Sequence, residues 1–148
     1  MAQTKKGVIL CVDDDPDVLN SIVTVLQSEG YKTVCAENGV VGLEMFEKNK
    51  KKLWGILTDA RMPKMNGLEF ASKVRETGAD VPIVLVTAYM ARQSITGTDQ
   101  GITVKEYHDA GINAHMEKPF RLDDLLHAVE ITFDPYGLSR DRKKKRKK

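Results

Sequence analysis

Apolar and polar positions follow two rhythms along the chain, and the rhythms take turns. Residues 7–12 (GVILCV) are a short, continuous apolar run, the pattern of a strand buried on both faces. Asp15 and Pro16 follow, an N-cap acid and a proline suited to the first helical position. Val18, Leu19, Ile22, Val23 and Leu26 then recur at helical spacing, and Gly30 marks the stop. The couplet recurs down the chain. Residues 33–36 predict a second strand, and 38–48 a helix with Val40 or Val41, Leu43 and Phe46 inward. Residues 53–57 (LWGIL) predict a third strand that runs out at Thr58 and Asp59, and 68–75 a short helix closed by Gly78. Residues 81–86 (VPIVLV) predict a fourth strand ending at Thr87, and 104–110 a helix stopped by Gly111. Residues 112–116 predict a fifth strand, and 122–133 a last helix with Leu122, Leu125, Leu126 and Val129 on one face.

Five strands alternating with five helices predict an α/β fold: a five-stranded parallel sheet, doubly wound, with helices on both faces. Neither a second periodic block nor an internal repeat follows, so one domain is expected over residues 1–134. Residues 134–137 (DPYG) break the last helix, and Leu138 is the only apolar residue beyond them. Residues 135–148 are expected to form a disordered tail.

Composition agrees with one globular unit. At 148 residues the chain should bury roughly 70% of the surface its unfolded form exposes. It therefore needs neither disulfide nor metal to hold a core. No apolar run approaches the ~18 residues of a membrane span, and the opening residues lack a signal-peptide pattern. Cys11 and Cys35 both sit in apolar runs and read as buried, reduced thiols of a cytoplasmic protein; two cysteines outside a CxxC pair are too few ligands for a cysteine-rich zinc site.

Charge divides the chain in two. Residues 140–148 (RDRKKKRKK) hold eight of the 23 basic residues and one of the 21 acidic ones. The rest carries 15 basic and 20 acidic residues, so an acidic body with a formal charge of −5 precedes a strongly basic end.

The chemistry follows from what stands after each strand. Ligands of open α/β sheets bind beyond the carboxyl ends of the strands, where the strand order reverses. The first strand delivers Asp13, Asp14 and Asp15, the third Asp59, the fourth Thr87 and the fifth Lys118. Carboxylates gathered at one edge repel each other unless a cation or protons intervene, and hard oxygen ligands suit Mg²⁺. A carboxylate is also a nucleophile toward phosphorus. The transfer then needs positioning and charge neutralisation, which a cation, an ammonium and a hydroxyl supply.

Four stretches carry a resemblance: residues 8–16 (VILCVDDDP), 55–70 (GILTDARMPKMNGLEF), 82–89 (PIVLVTAY) and 115–120 (HMEKPF). Together they resemble the receiver domain of two-component response regulators, of the chemotaxis-receiver type, over residues 6–134. The resemblance implies a flavodoxin-like sheet of strand order 2-1-3-4-5. It implies that Asp13 and Asp14 hold Mg²⁺ with Asp59 and the backbone carbonyl of Arg61, and that Asp59 is the phosphoacceptor. It assigns Thr87 as the switch hydroxyl and Lys118 as the phosphate-pairing lysine, with a cis bond to Pro119. Met62-Pro63 and Asn66-Gly67 match the family's turn into the third helix, where Asn-Gly suits an expected positive φ.

Two departures stand out. Where the family places a rotating Tyr or Phe, three residues before the lysine, this chain has His115. A smaller, polar, titratable switch residue implies a coupling that is weaker or pH-sensitive. Residues 91–103 (ARQSITGTDQGIT) lengthen the segment between Thr87 and Lys118, as a lid, a partner-binding loop or a mobile excursion.

The function so implied is a phosphoacceptor fed by a histidine kinase or histidine phosphotransfer protein. It would dephosphorylate itself slowly and pass the signal through its helix 4, strand 5 and helix 5 face to a protein target, with a phosphorylation-linked dimer left open. Two alternatives stand beside it. One is a receiver-fold interaction module that is not phosphorylated. The other is a haloacid-dehalogenase-type phosphatase with Asp13 as nucleophile and Asp15 as general acid, for which Asp123-Asp124 would have to serve as the later acidic pair. The basic tail is a solvated end or a contact for an anionic partner, nucleic acid or membrane surface.

Overall fold

The structure is a computed structural model that describes residues 7–87 and 104–133. Its elements, in chain order, are β1 (Val8–Val12), α1 (Pro16–Ser28), β2 (Lys32–Ala36), α2 (Gly39–Asn49), β3 (Leu53–Asp59), α3 (Gly67–Glu76), β4 (Ile83–Thr87), α4 (Val104–Asp109), β5 (Ala114–Glu117) and α5 (Leu122–Phe133). The loop at 91–103, Tyr89 and the basic tail at 135–148 lie outside the described residues.

The strands form one sheet in the order β2-β1-β3-β4-β5, all parallel, as the alternation of strand and helix predicts. Every residue of β1 and β4 is buried, which is why their sequences read as unbroken apolar runs. Successive side chains point to opposite faces and feed two cores. Leu10, Val12, Ile56, Ile83 and Leu85 pack with Phe46 of α2 and Phe70, Ala71 and Val74 of α3. Ile9, Cys11, Leu57, Val84 and Val86 pack with Ile22 and Leu26 of α1 and with Leu125, Val129 and Phe133 of α5. Each buried Val, Leu, Ile or Phe side chain contributes about 1.5–3 kcal/mol by leaving water.

The helices begin where their caps dictate. Asp15 caps α1 by accepting from the amides of Asp17 and Val18, and Asn38 caps α2 by accepting from Val41. Gly30, Gly78 and Gly111 follow α1, α3 and α4 with φ of 94°, 87° and 77°, the left-handed stop that glycine permits. No helix among the described residues is long and apolar enough to cross a membrane.

Of Val40 and Val41 it is Val41 that turns inward: it packs with Leu43 against the core that holds buried Phe46, while Val40 is exposed. Two expectations are corrected. Leu122 is exposed: it is the first residue of α5, one turn ahead of buried Leu125. Cys35 is also exposed. It pairs in register with buried Cys11, but β2 is an edge strand covered only in part.

Candidate functional site

The chain leaves β1 for β2 on one side and reaches β3 on the other, so the sheet's switch point lies between β1 and β3. Asp13 follows directly on β1, and Asp59 ends β3. Carboxylate oxygens of Asp13, Asp14 and Asp59 lie within 4.8 Å of one another. Asp13 and Asp59 are buried and Asp14 is exposed, so the cluster opens to solvent on one side.

Lys118 answers the charge from across the sheet. Its Nζ lies 3.1 Å from Oδ2 of Asp13 and 3.4 Å from Oδ2 of Asp59. The strand sets this reach: the Lys118 amide donates to the Thr87 carbonyl at 2.9 Å, one step beyond the Thr87–Glu117 pair of the β4–β5 ladder. The Lys118–Pro119 bond is cis. Thr87, wholly buried, ends β4 at the same edge.

Electrostatics at the cluster are unequal. Burial pushes the Asp59 carboxyl above the usual carboxylate range, and the neighbouring Asp13 adds to that. Lys118 and the Ala60 amide, which donates to Asp59 Oδ1 at 2.8 Å, offset part of it. Burial alone would lower the Lys118 ammonium, but Asp59 and Asp13 outweigh it and hold the group above its ordinary value. Asp13 is oriented by the Asp15 amide, which donates to its Oδ1 at 2.9 Å.

The loop from β3 to α3 is shaped to bring α3 under Asp59. The positive φ expected at Asn66-Gly67 falls instead on Lys64, at 69°. Asn66 is needed elsewhere: extended, it caps α3 in a capping box with Glu69. Gly67 is required by proximity. Its amide donates to the Ala60 carbonyl at 2.8 Å, and a Cβ there would stand 2.0 Å from the Asp59 carbonyl oxygen. Arg61 is exposed in this loop beside Met62, Asn66 and Leu68.

Other residues are placed away from the cluster. Asp15 spends its carboxylate on the α1 cap, and Asp123 and Asp124 are exposed in the first turn of α5. His115 is exposed on β5, with its ring edge-to-face against Tyr107 of α4 at 5.3 Å. Nothing in the sequence singles out Tyr107; only the fold brings α4 to β5.

The donors fit a small, hard divalent cation: three carboxylates converge, and two of them repel each other at close quarters. An ion there would offset the burial and the repulsion from Asp13 that together raise Asp59, as Lys118 does in part.

Comparison with known proteins agrees with this geometry. The family model for the response regulator receiver domain matches residues 9–130. Response regulator MprA of Mycobacterium leprae (strain TN) is 36% identical over 121 residues, covering 82% of this chain and 48% of that protein. The chain thus spans about half the length of the curated relatives it matches. Among solved structures, response regulator protein TrrA of Thermotoga maritima, in complex with Mg²⁺-BeF, superposes with a TM-score of 0.67 at 30% identity over 84% of this chain and 97% of that one. The receiver domain of a Pseudomonas aeruginosa sensor histidine kinase, with magnesium coordinated in its active-site cleft, gives a TM-score of 0.69 at 26% identity, covering 86% and 98%.

Proposed function

The chain belongs to the response regulator receiver family, and on that premise we propose that it takes a phosphoryl group from a phosphohistidine donor onto Asp59. Receiver domains are phosphorylated by histidine kinases and act on downstream targets. The observation that carries the reading is the convergence of Asp13, Asp14 and Asp59 with Lys118 Nζ between two of them.

In the proposed step an Asp59 carboxylate oxygen attacks phosphorus in line with the P–N bond of the donor. That bond breaks as the P–O bond forms, and the imidazole leaves with a proton. Asp13, Asp14, Asp59 and the Arg61 carbonyl would hold Mg²⁺, which supplies charge neutralisation at the phosphoryl oxygens when bound. Lys118 turns its ammonium from the two carboxylates to the phosphoryl group. Thr87 donates its hydroxyl to a phosphoryl oxygen. Phosphorylation adds about −1.5 to −2 charges and three acceptor oxygens at this edge. Slow hydrolysis of the acyl phosphate resets the domain.

The output would be the face of α4, β5 and α5, where His115 and Tyr107 meet edge to face, read by a protein target. The body over residues 1–134 would act in the cytoplasm. The basic residues of 135–148 would form a separate electrostatic contact.

The test is intact mass after incubation with acetyl phosphate and Mg²⁺. One phosphoryl adduct is expected on the native chain, and none on Asp59→Asn or without Mg²⁺. No adduct on the native chain, with beryllofluoride also failing to bind, would overturn the reading in favour of an unphosphorylated interaction module.

A further inference from the structure

β5 is a poor candidate to hold its own register. It is an edge strand of four residues that alternates half-buried with exposed positions. Register is weakly specified where no apolar face is fully buried. Yet the place of Lys118 at Asp13 and Asp59 depends on that register, through the Lys118 amide on Thr87.

The entrance to β5 is stapled instead. The Asn113 amide donates to the Ile83 carbonyl at 2.9 Å, and the Ile83 amide donates back to Asn113 Oδ1 at 2.8 Å. The side chain thus extends the β4–β5 ladder by one reciprocal pair. Arg75, at the end of α3, braces it. Its Nη2 donates to Asn113 Oδ1 at 2.9 Å and to the Gly111 carbonyl at 2.7 Å, and Nε donates to the same carbonyl at 3.1 Å. Nη1 donates to the carbonyls of Ala79 and Val81 at 3.1 and 2.8 Å. All five guanidinium donors are engaged. A lysine, with its point charge and rotating ammonium, cannot make this fork. Gly111 leaves room for it: a Cβ there would meet Arg75 Nε at 2.6 Å.

We infer that Arg75 and Asn113 are positioning residues for the phosphoryl chemistry: they set the register of β5 on β4 and so fix Lys118 against Asp13 and Asp59. The inference rests on the proposed phosphorylation of Asp59. The staple acts at the far end of the strand from the site, and its effect reaches the site only through Lys118.

The experiment measures the rate of phosphorylation of the full chain by acetyl phosphate with Mg²⁺, far below the melting temperature, where every variant used is verified folded. Arg75→Lys and Asn113→Ala should each slow the reaction roughly tenfold or more, as small misplacements of a charge-neutralising group do. Asn113→Asp keeps the acceptor and should stay near the native rate. In a Lys118→Ala background, Arg75→Lys and Asn113→Ala should have no further effect, because they act through that lysine. Hydrogen exchange at the Lys118 amide should quicken in the variants that slow the reaction. If the native chain is not phosphorylated, the functional reading fails. If the native chain is phosphorylated and the variants match its rate, or slow it equally without Lys118, the positioning role is overturned.

Discussion

Lys118 Nζ stands 3.4 Å from Asp59 Oδ2, and the same ammonium is 3.1 Å from Asp13 Oδ2. One cation therefore serves two buried carboxylates that repel each other. It does not serve them fully, since the Asp59 carboxyl remains above its ordinary range. The pair is weak evidence for stability, because two buried charges lose hydration that their attraction must restore. It is better understood as a site held ready for an incoming charge.

That imbalance predicts a pH dependence. In the unfolded chain Asp59 titrates in the ordinary carboxylate range, and in the folded chain higher. Its contribution to stability is fully present below the unfolded value and is lost as pH rises through the folded one. Asparagine imitates the protonated form. Asp59→Asn should therefore be more stable than the native chain at neutral pH without divalent metal, and the gap should close in acid. Urea unfolding across that range checks this; a native chain more stable than Asp59→Asn at neutral pH contradicts it.

Much of this site is legible in sequence because its parts are local. Asp13, Asp59 and Thr87 each stand at the end of an apolar run, Lys118 follows the last short strand, and parallel strands deliver their ends to one edge. Asp15-Pro16 announces a helix start by chemistry confined to neighbouring residues. What is not legible depends on contacts far apart in the chain. Arg75 reads as an ordinary basic residue at a helix end until the fold brings Gly111 and Asn113 to it. Cys35 looks buried because its neighbours are apolar, while its exposure follows from β2 being an edge. Val40 and Val41 differ by about 100° around the helix, and the run of small and apolar residues does not choose between them.

Divalent metal should stabilise the folded chain. At a Mg²⁺ concentration a hundredfold above the dissociation constant the gain is about 2.7 kcal/mol. Asp13→Asn should lose most of it, since it removes one of the converging carboxylates. Thermal melts with and without MgCl₂ make the comparison. An equal shift in both proteins would place the ion elsewhere.

Two glycines should respond differently to alanine. At Gly67 the new Cβ would lie 2.0 Å from the Asp59 carbonyl oxygen, a backbone atom that cannot turn aside. Gly67→Ala should cost roughly 1–3 kcal/mol by overpacking and slow the chemistry at Asp59 as well. Gly78 has a φ of 87° with open space around its Cβ position. Gly78→Ala should cost about 1–2 kcal/mol from the left-handed backbone alone, with the phosphorylation rate unchanged. Urea melts and acetyl phosphate kinetics separate the two effects.

The thiols should label in sequence. Cys35 is exposed and Cys11 buried, and burial pushes both thiols up, Cys11 far more. N-ethylmaleimide should add once to the native chain, slowly and at Cys35, and twice in denaturant. Two additions to the folded protein would show that β1 is more accessible than the sheet order implies.

The most direct test of the account is to locate the phosphorylated atom. Borohydride reduces an aspartyl phosphate to homoserine and releases phosphate, marking the residue permanently. Trypsin cleaves after Lys52 and Arg61, and the peptide between contains Asp59 as its only acid. After acetyl phosphate, Mg²⁺ and borohydride, the account predicts homoserine at position 59 in that peptide and unchanged acids everywhere else. Homoserine at position 13, with residue 59 untouched, would contradict it.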